Sequence, residues 1–282
     1  MQTVHLYRNG RLEEQQNGIV AEFPLVLQVN GRELATLVAS SHDLRFLVAG
    51  FLRLQGFVEN AADFHLLAVC EEFGVANVRI KGELPERLRP VLTSGCGTGV
   101  TFSLERPDGL KVKTSGELMP AALFRLMDEL ARQADQYRNH GGIHSAAVGG
   151  LDGSLMLYAE DIGRHNTLDR IAGEALFKGI SLDGMILATS GRVSAEMALK
   201  GARLGVCCIV SRTSPTDLAV KICRQAGIML VGYLRGERFT VYCGEERLMI
   251  SGSAPVMGKI QRIEDYLDRG TVLQDQRNKA AA

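Results

Sequence analysis

The second half of the chain alternates short apolar runs with amphipathic helical patterns, and this rhythm limits the fold more than any other feature. Apolar runs typical of strands occur at residues 145–148, 155–159, 185–189, 206–210 and 229–234. Helical spacing of apolar residues occurs between them, at residues 164–172, 194–204 and 216–226. The alternation predicts a mixed, largely parallel sheet with flanking helices, and a further strand at 239–242 fits its edge.

The first half is predicted to be α+β. Its predicted elements are strand-like residues 19–38 around the Asn30-Gly31 turn, a helix starting at residue 40 or 41, strands at 64–70 and 75–80, and a short helix at 85–92. A helix at 120–136, with Pro120 near its start, joins the halves. We predict a smaller N-terminal domain over residues 1–118, a connecting segment at 119–140 and a C-terminal domain at 141–282. A last helix is predicted at 259–267, before a polar tail.

Composition excludes several classes of protein. The 32 basic and 32 acidic residues balance, so the general electropositive field of nucleic-acid binders is absent. No apolar run reaches the roughly 20 residues that cross a bilayer, and the N-terminus lacks the apolar stretch of a signal peptide. We therefore expect a cytoplasmic protein with no nucleic-acid or membrane partner. The six cysteines form no C-x-x-C pair, which indicates free thiols.

Four loops that follow predicted strands each contain arginine among small residues. They lie at residues 160–166, 190–194, 211–216 and 233–238, and the arginines singled out are Arg164, Arg192, Arg212, Arg235 and Arg238. The carboxyl ends of strands in an open α/β sheet form the usual ligand crevice, and arginine suits phosphate. A cap or turn with a solvated arginine is the favoured reading of any one loop, whereas four together predict a ligand that carries phosphate.

Histidines and acids near these loops admit several roles. His165, next to Arg164 at a helix start, is predicted to donate to an anion. His144 and His165 lack a second ligand at metal-binding spacing, so we expect no metal held by side chains. Glu160 and Asp161 would repel bare phosphate, so they are expected to meet a base or sugar hydroxyl, or to neutralise an arginine.

Cys96 stands in a loop with Gly95, Gly97 and Gly99 on either side. A thiol acts as a nucleophile or sulfur acceptor through its thiolate, which requires exposure. A glycine-rich loop does not easily bury a side chain, and it can move between two sites. Cys96 is therefore the candidate catalytic residue, and an incidental exposed cysteine is the simpler alternative.

Several segments, taken in order, resemble the FdhD family of formate dehydrogenase accessory proteins. They are Gly95-Cys96-Gly97, Gly141-Gly142-Ile143-His144, the 160–166 segment E-D-I-G-R-H-N, Ser190-Gly191-Arg192, and the stretch from Leu230 to Tyr242. Phe23-Pro24-Leu25 and Ala49-Gly50-Phe51-Leu52 are similar as well. The likeness covers residues 22–243, and the ordered set is far more specific than any one segment.

The resemblance implies a sulfur carrier with a cytidine-deaminase-like C-terminal half. A cysteine desulfurase would load a persulfide on Cys96, and the sulfur would pass to the bis-molybdopterin guanine dinucleotide molybdenum cofactor for formate dehydrogenase. A homodimer is also implied. The family's cofactor-binding stretch falls on Tyr233, Leu234, Arg235, Gly236, Glu237 and Arg238. Family members carry C-x-x-C in the loop, whereas this chain has Gly99 at the second position.

Two other functions compete with a sulfurtransferase-type accessory protein. A zinc-independent chaperone would hold the cofactor without transferring sulfur, and Gly99 in place of a second cysteine lends this reading weight. A nucleotide deaminase would match the implied fold, but zinc deaminases need H-x-E followed by P-C-x-x-C, and the sequence contains neither.

Overall fold

The computed structural model describes residues 2–85, 91–92, 100–101, 110–113 and 116–250. The strands are β1 Gln2–Arg8, β2 Arg11–Asn17, β3 Phe23–Val29, β4 Arg32–Ala39, β5 Phe64–Cys70, β6 Val75–Ile80, β7 Val91–Leu92, β8 Val100–Thr101, β9 His144–Gly149, β10 Leu155–Asp161, β11 Ile186–Thr189, β12 Cys208–Ser211, β13 Met229–Arg235 and β14 Arg238–Cys243. The helices are α1 Leu44–Leu54, α2 Pro120–Gln133, α3 Asp135–His140, α4 Arg164–Lys178, α5 Ala195–Arg203 and α6 Asp217–Ala226.

A six-stranded sheet dominates the second half, with the strand order β10-β9-β11-β12-β13-β14. Strand β11 pairs parallel with β12, and β12 pairs parallel with β13, while the other pairings are antiparallel. Every residue of β11 and β12 is buried, as expected for parallel strands in the middle of a covered sheet. The predicted mixed α/β fold is confirmed.

Side-chain caps start the two helices that follow the parallel strands. Ser194 caps α5 by accepting a hydrogen bond from the Met197 amide, and Thr216 caps α6 by accepting one from the Ala219 amide. The Thr216 amide also donates to the Val193 carbonyl at 2.9 Å. The two strand-to-helix loops are therefore hydrogen-bonded to each other, next to the ends of β11 and β12.

A four-stranded sheet in the order β4-β3-β6-β5 forms the first part, with β3 and β6 parallel. Leu25, Leu27 and Val29 alternate along β3 and are fully buried in a cluster shared with α1. Helix α1 crosses α4 where Gly50 faces Gly173. A Cβ atom at Gly50 would lie 1.6 Å from the Asp169 carbonyl oxygen, so these helices touch backbone to backbone.

Two helix predictions were wrong in part. The helix predicted over residues 120–136 is divided at Ala134, whose ψ angle is 61°, because the next amides donate to a side chain on β10 instead of to the preceding turn. The predicted helix at 85–92 ends in strand β7, which pairs with β8, and residues 86–90 lie outside the described part. The predicted helix at 259–267 also lies outside it.

An N-terminal hairpin, β1–β2, was not predicted. Its turn uses Asn9 at φ 51° and Gly10 at φ 82°, the left-handed pair typical of a tight hairpin. The described residues as far as Met249 form one compact unit that contains both large sheets. The domain boundaries at residues 118 and 140 stay predictions.

Candidate functional site

A cavity of about 620 Å³ lies where the central strands end. Ser190 follows β11, Arg212 and Thr213 follow β12, and Arg235 ends β13. The complete lining is Met127, Leu130, Ala131, Ala134, Tyr137, Arg138, Ile143, His144, Ser145, Ser190, Arg212, Thr213 and Arg235. The volume is in the range of small-molecule and cofactor sites, about 300–1,000 Å³.

The charge of the cavity is one-sided. Arg138, Arg212 and Arg235 line it together with His144, and none of the described lining residues is Asp or Glu. Arg138 is ion-paired with Asp135 on the same helix, so Arg212 and Arg235 are the arginine donors that favour an anion, above all a phosphate. The sequence predicts a crevice suited to phosphate, and the cationic lining of this cavity is consistent with that prediction.

Hydrogen bonds to backbone carbonyls fix the loops around the cavity. The Arg235 Nε donates to the Arg212 carbonyl at 3.2 Å, and the Tyr233 amide donates to the Thr213 carbonyl at 3.0 Å. The Arg212 amide in turn donates to the Thr189 carbonyl at 3.2 Å. The end of β13 is thus tied to the loop after β12, which keeps the two arginines of this wall next to each other.

His144 supplies a neutral polar group. Its Nδ1 lies 3.5 Å from the Ser190 Oγ, which accepts the Ser145 amide at 3.0 Å. Burial, with the Arg164 charge nearby, lowers the pKa of His144. The imidazole is therefore uncharged near neutral pH, and it acts in the cavity wall as a hydrogen-bonding group.

The predicted arginines are not all brought together. Of Arg164, Arg192, Arg212 and Arg238, only Arg212 is among the described residues that line the cavity. Arg164 is 7% exposed, with its stem beneath Gly191, while Arg192 and Arg238 are exposed and are not among the described lining residues. The structure therefore does not bring these four side chains into one crevice; it brings Arg212 together with Arg235, and cofactor binding by Arg164, Arg192 and Arg238 stays a prediction.

The stretch 233–238 spans the end of β13, the turn and the start of β14. Leu234 is buried, Tyr233 is 46% exposed, and Arg235 pairs with Arg238 across the ladder. Tyr233 has φ 52°, an uncommon left-handed conformation for a residue with a Cβ, and Gly236 makes the turn at φ 56°. Of the six predicted cofactor-binding residues here, Arg235 is the described one that lines the cavity.

Asp161 is fully buried, and its carboxylate bonds to several neighbouring elements. Its carboxylate pairs with the Arg170 guanidinium at 2.6 Å, and it also accepts the Ser40 and Gly163 amides at 3.2 and 2.8 Å. Asn166 donates to the same carboxylate and to the Val38 carbonyl. Of the alternatives given for Asp161, neutralising an arginine is the one that the structure shows. These bonds join the end of β4 to the start of α4.

His165 belongs to a second buried network and lies away from the cavity wall. Its Nε2 is 3.1 Å from the Ser194 Oγ and 3.4 Å from the Glu196 carboxylate. Burial lowers the pKa of His165 to about 3, although Glu196 opposes this shift. The Lys200 Nζ lies 3.6 Å from Glu196 and 2.8 Å from Asp169. These contacts join α4 to α5, and the anion-donor role given to His165 stays a prediction.

Residues 93–99, which contain Cys96 and Gly99, fall outside the described part of the chain, so the structure does not place the candidate catalytic residue. Among the described cysteines, Cys207, Cys208, Cys223 and Cys243 are buried, and Cys70 is exposed on edge strand β5. Burial raises the pKa of Cys208, Cys223 and Cys243, so their thiols are poor nucleophiles.

The described residues contain no group of three or more His, Cys, Asp or Glu placed to hold a metal ion. No helix in the described ranges is long and apolar enough to cross a membrane. Sequence reasoning missed the cavity wall formed by α2 and α3, including Tyr137 and Arg138. These residues carry no motif, and their only signal is the helical spacing of Leu123, Met127 and Leu130, which also describes a core-facing helix.

The fold and the cavity define a general class: an α/β protein with a cationic cleft at the carboxyl ends of parallel strands, where open α/β sheets bind ligands. Residues 20–249 match the model of the FdhD/NarQ family, and the chain belongs to that family. The resemblance noted in the sequence is therefore confirmed.

Relatives and a solved structure agree with this assignment. The chain is 35% identical to the sulfur carrier protein FdhD of Geobacillus kaustophilus, over 86% of this chain and 95% of that protein. It is 33% identical to the protein of the same name from Bacillus licheniformis, over 87% and 95% of the two chains. A crystal structure described as a formate dehydrogenase accessory protein from Desulfotalea psychrophila superposes with a TM-score of 0.73 at 27% identity, covering 88% of this chain and 98% of that one.

Proposed function

We propose that this protein is a sulfur carrier for formate dehydrogenase. A cysteine desulfurase passes the terminal sulfur of its persulfide to the Cys96 thiolate, and the desulfurase thiol is regenerated. The protein then hands that sulfur to a bis-molybdopterin guanine dinucleotide molybdenum cofactor. The family membership and the names of the relatives support the sulfur step, and the chemistry of the cavity supports the cofactor.

The observation that carries the proposal is the cationic cavity at the ends of β11, β12 and β13. Arg212 and Arg235 supply its positive charge, since Arg138 is ion-paired with Asp135, and its volume of about 620 Å³ suits one guanine nucleotide portion of the cofactor. Arg212, Arg235 and Ser190 are the groups proposed to hold the phosphates. The structure of the 93–99 segment is not described, so Cys96 enters this proposal through the family and the sequence alone.

The sulfur step is tested by mass spectrometry. Purified protein is incubated with a cysteine desulfurase and cysteine, and its mass is measured without reductant. We expect a gain of one sulfur atom that is lost in Cys96→Ala. Cys70→Ala is the matched control, because Cys70 is the exposed thiol among the described cysteines, and this variant should keep the gain. Full retention of the gain in Cys96→Ala would reject Cys96 as the carrier.

A cofactor-holding chaperone is the second candidate, favoured by Gly99 in place of a second cysteine. The two functions are separated by restoring formate dehydrogenase activity in cells that lack the protein. A sulfur carrier predicts no restoration by Cys96→Ala, whereas a chaperone predicts restoration at the wild-type level.

We also propose that the protein forms a homodimer. Light scattering coupled to size-exclusion chromatography measures the mass of the particle in solution and tests this proposal.

A further inference from the structure

The N-terminal hairpin β1–β2 is almost entirely exposed. Every residue of β2 is exposed, and on β1 the partly buried residues are Val4 and Leu6. A two-stranded hairpin on its own is at best marginally stable in water, because one pair of strands buries too little apolar surface. This hairpin is nevertheless paired along the whole length of both strands. It is therefore expected to rest against a surface that the described residues of its own chain do not supply.

The tip of the hairpin carries two exposed cross-strand pairs. Tyr7 and Leu12 lie directly opposite each other and are 70% and 69% exposed. Arg8 and Arg11 form the next pair, and neither makes an ion pair with a described residue, although Glu13 shares their face of the hairpin. Like charges directly opposite each other destabilise a pair of strands. Because the two pairs project from opposite faces, a surface that contacts both must enclose the tip.

A cavity of about 530 Å³ lies where α1 begins, beside the ends of β5 and α4. Its described lining is Asp43, Leu44, Arg45, Phe46, Val69, Glu71 and Phe177, and we call it the aromatic groove. The ring centroid of Phe177 lies 6.4 Å from that of Phe46 and 5.7 Å from that of Phe64. Phe177 is 36% exposed. The groove therefore offers aromatic rings and enough volume for large side chains.

The charge of the aromatic groove is negative on balance. Two carboxylates, those of Asp43 and Glu71, stand against the guanidinium of Arg45, and these three side chains make no ion pair with a described residue. Asp43 occupies the N-cap position of α1, but its φ is 45° and its side chain makes no capping hydrogen bond. Aspartate at this position usually caps the helix, and a left-handed backbone is uncommon for it. The helix thus leaves the Asp43 carboxylate to another partner.

We propose that the hairpin tip of a second copy of this chain enters the aromatic groove, and that the two copies exchange their tips reciprocally. The Tyr7–Leu12 pair of one copy packs on the rings of the other, while its tip arginines meet Asp43 and Glu71. The basic tip and the acidic groove belong to the same chain, so one contact made twice closes a two-fold dimer.

This contact rests on the proposed homodimer and names a surface for it. The hairpin occupies residues 2–17, whereas the match to the family model covers residues 20–249. The contact is therefore a feature of this chain that the family model does not contain.

Sedimentation equilibrium of the purified full-length chain measures the dissociation constant of the dimer. Tyr7→Ala should weaken association by about tenfold or more, as expected when an aromatic side chain is removed from a buried contact. Gln15→Ala is the matched control, because Gln15 is an exposed hairpin residue away from the tip, and it should stay within about twofold of wild type.

Exchanging charges tests the groove as the receiving surface. Arg11→Glu should weaken association by about tenfold or more, because it brings a carboxylate to Asp43 and Glu71. The same change places opposite charges across the hairpin, so melting of the hairpin does not account for the loss. Adding Glu71→Lys should restore association to within about threefold of wild type. Adding Glu72→Lys should not, since Glu72 is the exposed neighbour outside the groove lining.

The outcomes separate the tip contact from the homodimer itself. Tyr7→Ala and Arg11→Glu proteins that dimerise as wild type does would overturn the contact and leave the homodimer standing. Loss of association that Glu72→Lys restores as well as Glu71→Lys would overturn the groove as the receiving surface. A wild-type chain that stays monomeric would overturn both, and it is the result expected if the tip binds a different protein or the groove of its own chain. The sulfur step at Cys96 is measured separately and stands in each case.

Discussion

Replacing Gly50 with alanine tests the tightest glycine contact among the described residues, the crossing of α1 and α4. A Cβ at Gly50 would lie 1.6 Å from the Asp169 carbonyl oxygen, and a Cβ at Gly173 would lie 2.0 Å from the Phe46 carbonyl oxygen. Both obstacles are helix backbone, so no side-chain rotation relieves them. The helices would have to move apart.

The required movement sets the size of the effect. Ordinary contact begins at 3.4 Å, so Gly50→Ala must separate the helices locally by about 1.8 Å. That displacement disturbs the packing of Leu47 and Phe51, which are buried on α1. Overpacking typically costs about 1–3 kcal/mol, and a rigid backbone obstacle belongs at the upper end. Alanine recovers about 1 kcal/mol of helix propensity, so we expect a net loss of about 2 kcal/mol or more in the free energy of unfolding.

Urea titration followed by circular dichroism measures this loss. Gly201→Ala is the matched control, since it is also a buried helical glycine, but the obstacle there is the tip of the Ile209 side chain at 2.7 Å, which can turn aside. The control should change the free energy of unfolding by no more than about 1 kcal/mol. If Gly50→Ala proved as stable as Gly201→Ala, the backbone contact between α1 and α4 would be refuted.

Three further predictions concern the buried networks and the cavity. Asp161→Asn leaves the Arg170 charge uncompensated inside the protein and should cost about 3–5 kcal/mol of unfolding free energy by urea titration. His165 binds its proton near pH 3 when folded and near 6.5 when unfolded, so wild-type stability should fall as the pH drops below 6.5, by up to about 1.4 kcal/mol per unit, and His165→Gln should reduce that slope. Arg212→Gln should weaken guanosine diphosphate binding about tenfold by calorimetry, whereas Arg192→Gln, on an exposed side chain outside the cavity, should not.

The parts of the fold that the sequence predicts are those governed by local patterns. Apolar runs and cap residues such as Ser194 and Thr216 indicate the strands and helices of the second half, because both signals act within a few residues. The break at Ala134 depends on Glu160, which lies about 25 residues further along, so a local pattern does not reveal it. The β1–β2 hairpin is a different case, because Asn9-Gly10 is a strong local turn signal from which the hairpin is predictable.

The same distinction applies to the candidate site, where the sequence predicts some features and not others. Loops at the ends of parallel strands must meet at one edge of the sheet, so the general position of the cavity follows from the predicted topology. The direction of an individual side chain does not follow from it. Arg164, Arg192 and Arg212 occupy comparable loop positions, yet Arg164 is buried, and of the exposed pair Arg212 lines the cavity whereas Arg192 is not among its lining residues. Asp161 shows a different limit of sequence reasoning. Its charge suggests a role in binding a ligand, but its carboxylate instead joins the two sheets.

Tyr233 gives a final test, at the start of the predicted cofactor-binding stretch. Its backbone lies in the left-handed region, at φ 52°, and a residue with a Cβ loses about 1–2 kcal/mol of stability there. The Tyr233 amide donates to the Thr213 carbonyl at 3.0 Å, which holds this conformation in place. Tyr233→Gly and Tyr233→Ala lose the same ring, so the difference between them reports the backbone alone. At ordinary helix and strand positions alanine is the more stable by about 0.5–1 kcal/mol, whereas here glycine should be the more stable by up to about 1 kcal/mol in urea titration. The usual order, with alanine ahead, would show that the backbone at this end of β13 is not strained.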